Sequence, residues 1–405
     1  MNTRNAASRE TCLATLEEIV SHVNQNSDSS STCAGARALE HVADAFASKQ
    51  AWAHAHETYS QALQMIKNTN ISAAISNEST SSVQQSLSFN VLQKMAKVCM
   101  NLRDYDGAWK ALQECLDIVK PASLPISDPS IVTVMNNMGH VQFAKGAIGK
   151  AIAIFTRCLT VQRSLVNRDL LAEADTMSKM GCISRHVGRF DAAIAWYEAA
   201  IVVRTEVLGE AHIGLSSDLL AIGNIHYRQR QFDHALAAFS ECMSLHRSHP
   251  KSDLSLVVSI LDKMGAICIQ LDNRSNAADC YEEAVHIARS AGVDRTVGRE
   301  PLSKIAASFA RSLHNLALIH NAQGCINEAI DCAEEAFRIL ESSIAVRNAT
   351  NNNATAVLAF LIRLYHRKGD AEKACKYSEI ISELEQYYNE GRPEKKSKCH
   401  GAPAA

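Results

Sequence analysis

The sequence predicts an all-α solenoid of about eight helix–turn–helix units, and three observations carry that expectation. A short motif recurs with its small residue at Gly139, Gly181, Gly223 and Gly265, 42 residues apart three times in succession. Within each copy the apolar residues follow a 3.6-residue period on two segments separated by a short turn, the signature of paired amphipathic helices. Seven prolines and 17 glycines among 405 residues are too few for a strand-and-turn protein. A chain of this length exceeds most single cores. The recurrence selects a repeat array over several unrelated domains.

The fullest copies read Met138-Gly139, Gly146, Ala151, Phe155, Cys158 and Met180-Gly181, Gly188, Ala193, Tyr197, Ala200. The next two read Ile222-Gly223, Ala235, Phe239, Cys242 and Met264-Gly265, Ala277, Tyr281, Ala284, with Arg230 and Asp272 at the turn. Weaker copies extend the frame: Ala43 with Ala55, Tyr59 and Ala62; Ala96 with Ala108, Leu112 and Cys115; Ala317 with Gly324, Ala329 and Ala336; Ile362 with Gly369 and Ala374. Each slot has a physical reason. The small residue on the first helix and the alanine on the second let the two axes approach, where bulk would hold them apart. The aromatic fills the space beside that contact. No hairpin can bury its face alone, so neighbours stack into a continuous core.

Residues 1–34 are expected to hold one helix, roughly 11–24, and a flexible Ser/Asn-rich segment. The repeat array takes residues 35–390, with loop insertions near 69–86 and 291–302, the first rich in Ser and Asn, the second carrying glycines and Pro301. The run at 348–355 joins the last two units, and 391–405 is a disordered basic tail.

A net charge of −2 excludes a strongly basic nucleic-acid binder and an acidic solvating tail. The 13 cysteines include no C-x-x-C pair and mostly fall in amphipathic patterns, which points to a reduced, cytoplasmic protein. No run suits a signal sequence or a membrane span, so no membrane insertion is expected. Gly146-x-x-Gly149-Lys150 lacks the spacer and the hydroxyl residue of a phosphate loop. His320, Cys325 and Cys332 match no zinc spacing. No catalytic residue, metal or cofactor is assigned, and the chain is read as a non-enzyme.

A helical hairpin with Leu-Gly, Gly, Ala, aromatic and Ala at these offsets resembles the tetratricopeptide repeat, and the 42-residue period resembles the version in kinesin light chains and nephrocystin-type proteins. Residues 196–239 carry the best local match, with Arg204, Leu208-Gly209 and His212 in the light-chain positions. Ile213 stands where a proline normally follows that histidine, and no heptad region precedes the repeats. The resemblance covers about 35–385 and implies a right-handed superhelix that works as a protein-binding scaffold.

The resemblance also implies a concave groove, lined by the first helices, that accepts a partner peptide or helix. Carried over by slot, its lining is Lys94, Lys97, Asn136, Asn137, His140, Phe143, Lys179, Arg185, His186, Asn224, Tyr227, Arg228, Lys263, Arg311, His314, Asn315 and Asn321. Acidic members of the same rows are few: Glu40, Asp44, Asp175 and Asp262. Such a row favours an acidic linear motif, with asparagines pairing to its backbone. The lysine–asparagine clamp for a chaperone carboxylate tail is missing. Two alternatives stand beside this reading: a structural subunit using the outer face, and a regulatory partner of a separate enzyme.

Overall fold

The computed structural model describes residues 13–23, 32–73, 78–119, 129–249, 253–292, 300–344 and 352–390. The chain divides into two compact units, Met1–Val207 and Leu208–Ala405. The first unit opens with α1 (13–23) and continues with four hairpins. These are α2 (Thr32–Ser48) with α3 (Trp52–Ala73), α4 (Glu78–Asn101) with α5 (Tyr105–Val119), α6 (Pro129–Ala144) with α7 (Ile148–Ser164), and α8 (Leu170–His186) with α9 (Phe190–Leu208). The second unit holds four more: α10 (Ser216–Arg228) with α11 (Phe232–Ser248), α12 (Leu254–Gln270) with α13 (Arg274–Ser290), α14 (Glu300–Gln323) with α15 (Ile326–Ile344), and α16 (Asn352–Lys368) with α17 (Ala371–Glu390). The fold is all-α, and no strand occurs among the described residues.

The hairpin turns share one construction. At each, a residue in the left-handed region stops the first helix, and the next backbone N–H reaches back five residues to a helix carbonyl at 2.8–3.0 Å. Ala147 bonds to Gln142, Arg189 to Ser184 and Asn273 to Cys268 in this way. That bond satisfies a carbonyl the helix end would otherwise leave open. Glycine takes the left-handed position at Gly146, Gly188, Gly324 and Gly369; Gln50, Arg103, Arg230 and Asp272 take it elsewhere, with φ between 55° and 61°. Second-helix starts are capped locally, as where Asp104 Oδ1 accepts from Gly107 N and Asn273 Oδ1 from Asn276 N.

Within a hairpin the small residue and the aromatic meet. A Cβ added to Gly139 would lie 2.6 Å from the Phe155 ring, and one on Gly223 would lie 2.6 Å from Phe239. Gly265 meets Tyr281 at 2.7 Å and Gly181 meets Tyr197 at 3.0 Å. Ala151, Ala193, Ala235 and Ala277 are fully buried on the second helices. Cys115, Cys158 and Cys242, in one repeated slot, each donate Sγ–H to a first-helix carbonyl: Phe89, Val132 and Ser216. Burying one such aromatic side chain stabilises by about 1.5–3 kcal/mol. Successive hairpins then pack within each unit, α3 on α4 and α5 on α6 in the first, α13 on α14 and α15 on α16 in the second.

The segment 69–86, expected as a loop, is mostly helical: α3 runs to Ala73 and α4 starts at Glu78. Ser and Asn are poor helix formers in isolation, but neighbouring turns anchored by Ile66 and Leu87 in the core carry the helices through them. Likewise α14 begins at Glu300, inside the expected 291–302 loop, and α16 begins at Asn352, inside the expected 348–355 joint. The expected flexible segment is described only from Thr32, already in α2, and the basic tail 391–405 lies outside the described residues. Among those residues no helix is long and apolar enough to cross a membrane.

Candidate functional site

The first helices α2, α4, α6, α8, α10, α12, α14 and α16 carry the residues at which a partner was expected, and most of these touch one another. Lys94 on α4 reaches back to α2, bonding Glu40 at 2.7 Å and Asp44 at 2.6 Å. Asp44 also accepts the Tyr59 hydroxyl. Lys97 is exposed. Asn136 is only 8% exposed, and its Oδ1 accepts from Thr176 Oγ1 across α6 and α8.

In the second unit Lys263 donates to Asn224 Oδ1 at 2.6 Å, from α12 to α10. Arg311 on α14 bonds Asp262 on α12 at 2.6 Å. Asp262 is buried, and its carboxyl is raised above the usual range because burial outweighs the attraction of Arg311. Asn315 is hydrogen-bonded to the Tyr281 hydroxyl. Asn321 Oδ1 accepts from Arg367, and His314 stands edge-on to Phe360. Tyr227 lies beside Phe232 at 6.2 Å, and Arg228 is exposed.

The stretch on α6 and α8 differs. Lys179 is half-buried and its ammonium is lowered from the usual lysine range, burial outweighing the attraction of Asp175. Asp175, one turn earlier, is itself bonded at 2.5 Å to Arg204, which is 8% exposed and also donates to Ser178. Arg185 contacts the Cys182 thiol and the Tyr197 hydroxyl, and its Nε is buried with no partner. No carboxylate forms an ion pair with Lys179 or Arg185 among the described residues. His140 on α6 stands edge-on to Phe155; burial, with Lys179 adding, lowers it to about 4. Phe143 meets His186 edge-on at 5.2 Å, and Asn137, earlier on α6, is half-buried. A pair of cations, a neutral imidazole and an aromatic ring therefore share two neighbouring helices.

Sequence reasoning placed the acids Glu40, Asp44, Asp175 and Asp262 in these rows without their partners. It also passed over Glu173, 2% exposed, which joins α7 to α8 by accepting from Arg163 at 2.7 Å and Arg168 at 2.5 Å. Burial raises that carboxyl, but the two guanidinium bonds outweigh it and hold it below the usual range. His212 caps the short 3-10 turn Ile213–Leu215, its Nδ1 accepting from Gly214 N at 3.0 Å. Among the described residues no group of three or more His, Cys, Asp or Glu is placed to hold a metal ion.

Eight helical hairpins among the described residues, four of them with a glycine packed against an aromatic ring, define a helical-repeat protein. Tetratricopeptide-repeat models match residues 130–201, 172–248 and 309–343, and the chain carries tetratricopeptide repeats. It is similar to Protein KINESIN LIGHT CHAIN-RELATED 2 of Arabidopsis thaliana, 22% identical over 346 residues, which are 74% of this chain and 50% of that protein. The chain thus spans about half the length of that relative. Similar solved structures include BtubC (BKLC) from P. vanneervenii, with TM-score 0.49 and 18% identity over 62% of this chain and 94% of that one. The apo form of RapI has TM-score 0.48 and 10% identity over 76% of this chain and 98% of that one. Repeats of this type support a protein-interaction scaffold in general, typically a non-enzymatic one.

Proposed function

We propose that the chain is a scaffold that holds an acidic segment of another protein along its first-helix row, centred on α6 and α8. The observation that supports this is Lys179 and Arg185, two part-buried cations on one helix that lack a carboxylate of their own. Leaving a cation desolvated is unfavourable, and a partner carboxylate relieves it. Phe143 offers an apolar contact beside them, and Asn137 an amide for the partner backbone. Elsewhere in the rows Lys94 and Arg311 already hold carboxylates, and Lys263 holds an amide oxygen. Those positions have less to offer an acidic ligand. The similarity to a kinesin light chain-related protein fits a cargo-holding role. A cytoplasmic location is part of the same reading.

The test is affinity capture with wild-type protein and with Lys179→Glu/Arg185→Glu, read by mass spectrometry, after circular dichroism shows equal helicity. Partners lost from the double variant and retained by Lys263→Glu support the reading. Equal recovery on all three proteins sinks it. A structural subunit is the second reading, favoured by Val202 and Val207 on α9, apolar side chains that stay 57% and 44% exposed.

A further inference from the structure

At the turn between α10 and α11 two imidazoles meet. His226, half-buried in the last turn of α10, and His234, exposed in the first turn of α11, have ring centroids 5.2 Å apart and planes tilted by 31°. Two imidazoles that share one tetrahedral zinc, each through an N–Zn bond of about 2.0–2.1 Å, stand with their centroids about 5 Å apart. Gln231 holds His226 twice: its backbone N–H donates to the His226 carbonyl at 2.9 Å, and its Oε1 meets His226 Nδ1 at 2.6 Å. An amide oxygen only accepts, so Nδ1 carries the proton and Nε2 keeps the lone pair that a metal requires. Metal-binding histidines are oriented in this way, through the ring nitrogen that does not bind the metal. His234 makes no hydrogen bond or ion pair among the described residues.

The hairpin itself brings these two slots together. Eight residues apart across the turn, they also meet where Phe46 stacks on His54 at 5.5 Å and where the Lys373 ammonium lies over the Tyr365 ring at 5.1 Å. The repeat therefore fixes the approach, and the sequence chooses the chemistry. Cys99, Gln142, Ser184 and Cys268 fill the first slot in other copies, and Gly107, Lys150, Ala192 and Asn276 the second. Packing thus requires a histidine at neither, and one copy alone carries an imidazole at both.

We propose that His226 and His234 form a two-histidine site for a zinc-class divalent cation, which clips the end of α10 to the start of α11. The chain supplies two ligands and water fills the remaining positions. Neutral imidazole selects zinc and its transition-metal neighbours over magnesium and calcium, which take oxygen ligands. Gln231 sets the His226 tautomer for this role without touching the metal.

The test is a titration of the full-length chain, its histidine rings labelled with nitrogen-15, with zinc chloride. Ring resonances of His226 and His234, assigned through His226→Gln and His234→Gln, are followed one by one, so zinc bound by any of the other 14 histidines or by the thiols does not enter the readout. The two rings should shift together along one saturating curve, and magnesium chloride should move neither. His234 is exposed, so His234→Gln keeps the fold, and it should weaken the His226 response at least tenfold. Gln231→Leu should weaken the response of both rings about tenfold. No saturable shift of either ring overturns the proposal, because a pair that only stacks, as Phe46 and His54 do, binds no metal. A His226 response unchanged in His234→Gln overturns it equally, since the two rings would then act separately.

Discussion

Lys179 on α8 and Lys263 on α12 occupy the same position of the repeat, two periods apart, and their fates differ because of one residue on the preceding first helix. Before Lys263 that residue is Asn224, whose carbonyl oxygen accepts from the ammonium. Before Lys179 it is His140, which offers no carboxylate or amide oxygen and, if protonated, would repel the lysine. A repeat fixes where a side chain stands; the neighbour in the next copy decides whether it is structural or available. In the second unit the row is closed by Asn224–Lys263 and Asp262–Arg311, and in the first unit it is open at Lys179 and Arg185.

The strongest way to break this contrast is Arg311→Ala. It strips a buried carboxylate of its charged partner and should cost about 2–3 kcal/mol, measured as the urea midpoint at pH 7. A cost near zero would mean that the second unit's row is no more closed than the first's. Glu173→Gln comes next, with a loss of about 2 kcal/mol at neutral pH as two guanidinium bonds weaken. The folded carboxyl lies below its ordinary value of 4.5, so its stabilisation is full above that value and disappears as pH falls through the folded pKa. Urea titrations across the acid range should therefore converge for wild type and variant at the lowest pH.

The smallest effect sharpens the comparison most. Asn224→His should cost about 1 kcal/mol by removing the acceptor of Lys263, and His140→Asn should return a similar amount by giving Lys179 one. His140→Asn also removes a group whose folded pKa, about 4, lies below the ordinary 6.5, and with it the stability lost as pH falls between those values. Thermal melts at pH 7 and pH 5 check both signs. If the two substitutions shift stability in the same direction, the two lysines do not differ for the reason given.

The hairpins were legible in the sequence because small residues must recur wherever two axes touch, so Gly139, Gly181, Gly223 and Gly265 announce the period that Phe155, Tyr197, Phe239 and Tyr281 complete. The turns were legible only in part, since Arg230 and Asp272 sit where glycine is the readable signal. The 69–86 segment misled because Ser and Asn counts report local preference, whereas the flanking turns at Ile66 and Leu87 decide. For the candidate site, slots could be named from the period, but partners could not. Lys94 and Lys179 look alike in sequence, and only the placement of Glu40 and Asp44 against one of them separates the two.

Half of the hairpin turns place a side-chain-bearing residue where backbone geometry suits glycine. Each of Gln50, Arg103, Arg230 and Asp272 gives up about 1 kcal/mol there. The molecule thus sits below the stability its architecture allows, by an amount confined to four exposed tips. Those tips are a reserve from which engineering or drift can draw robustness without altering the side chains of α6 and α8.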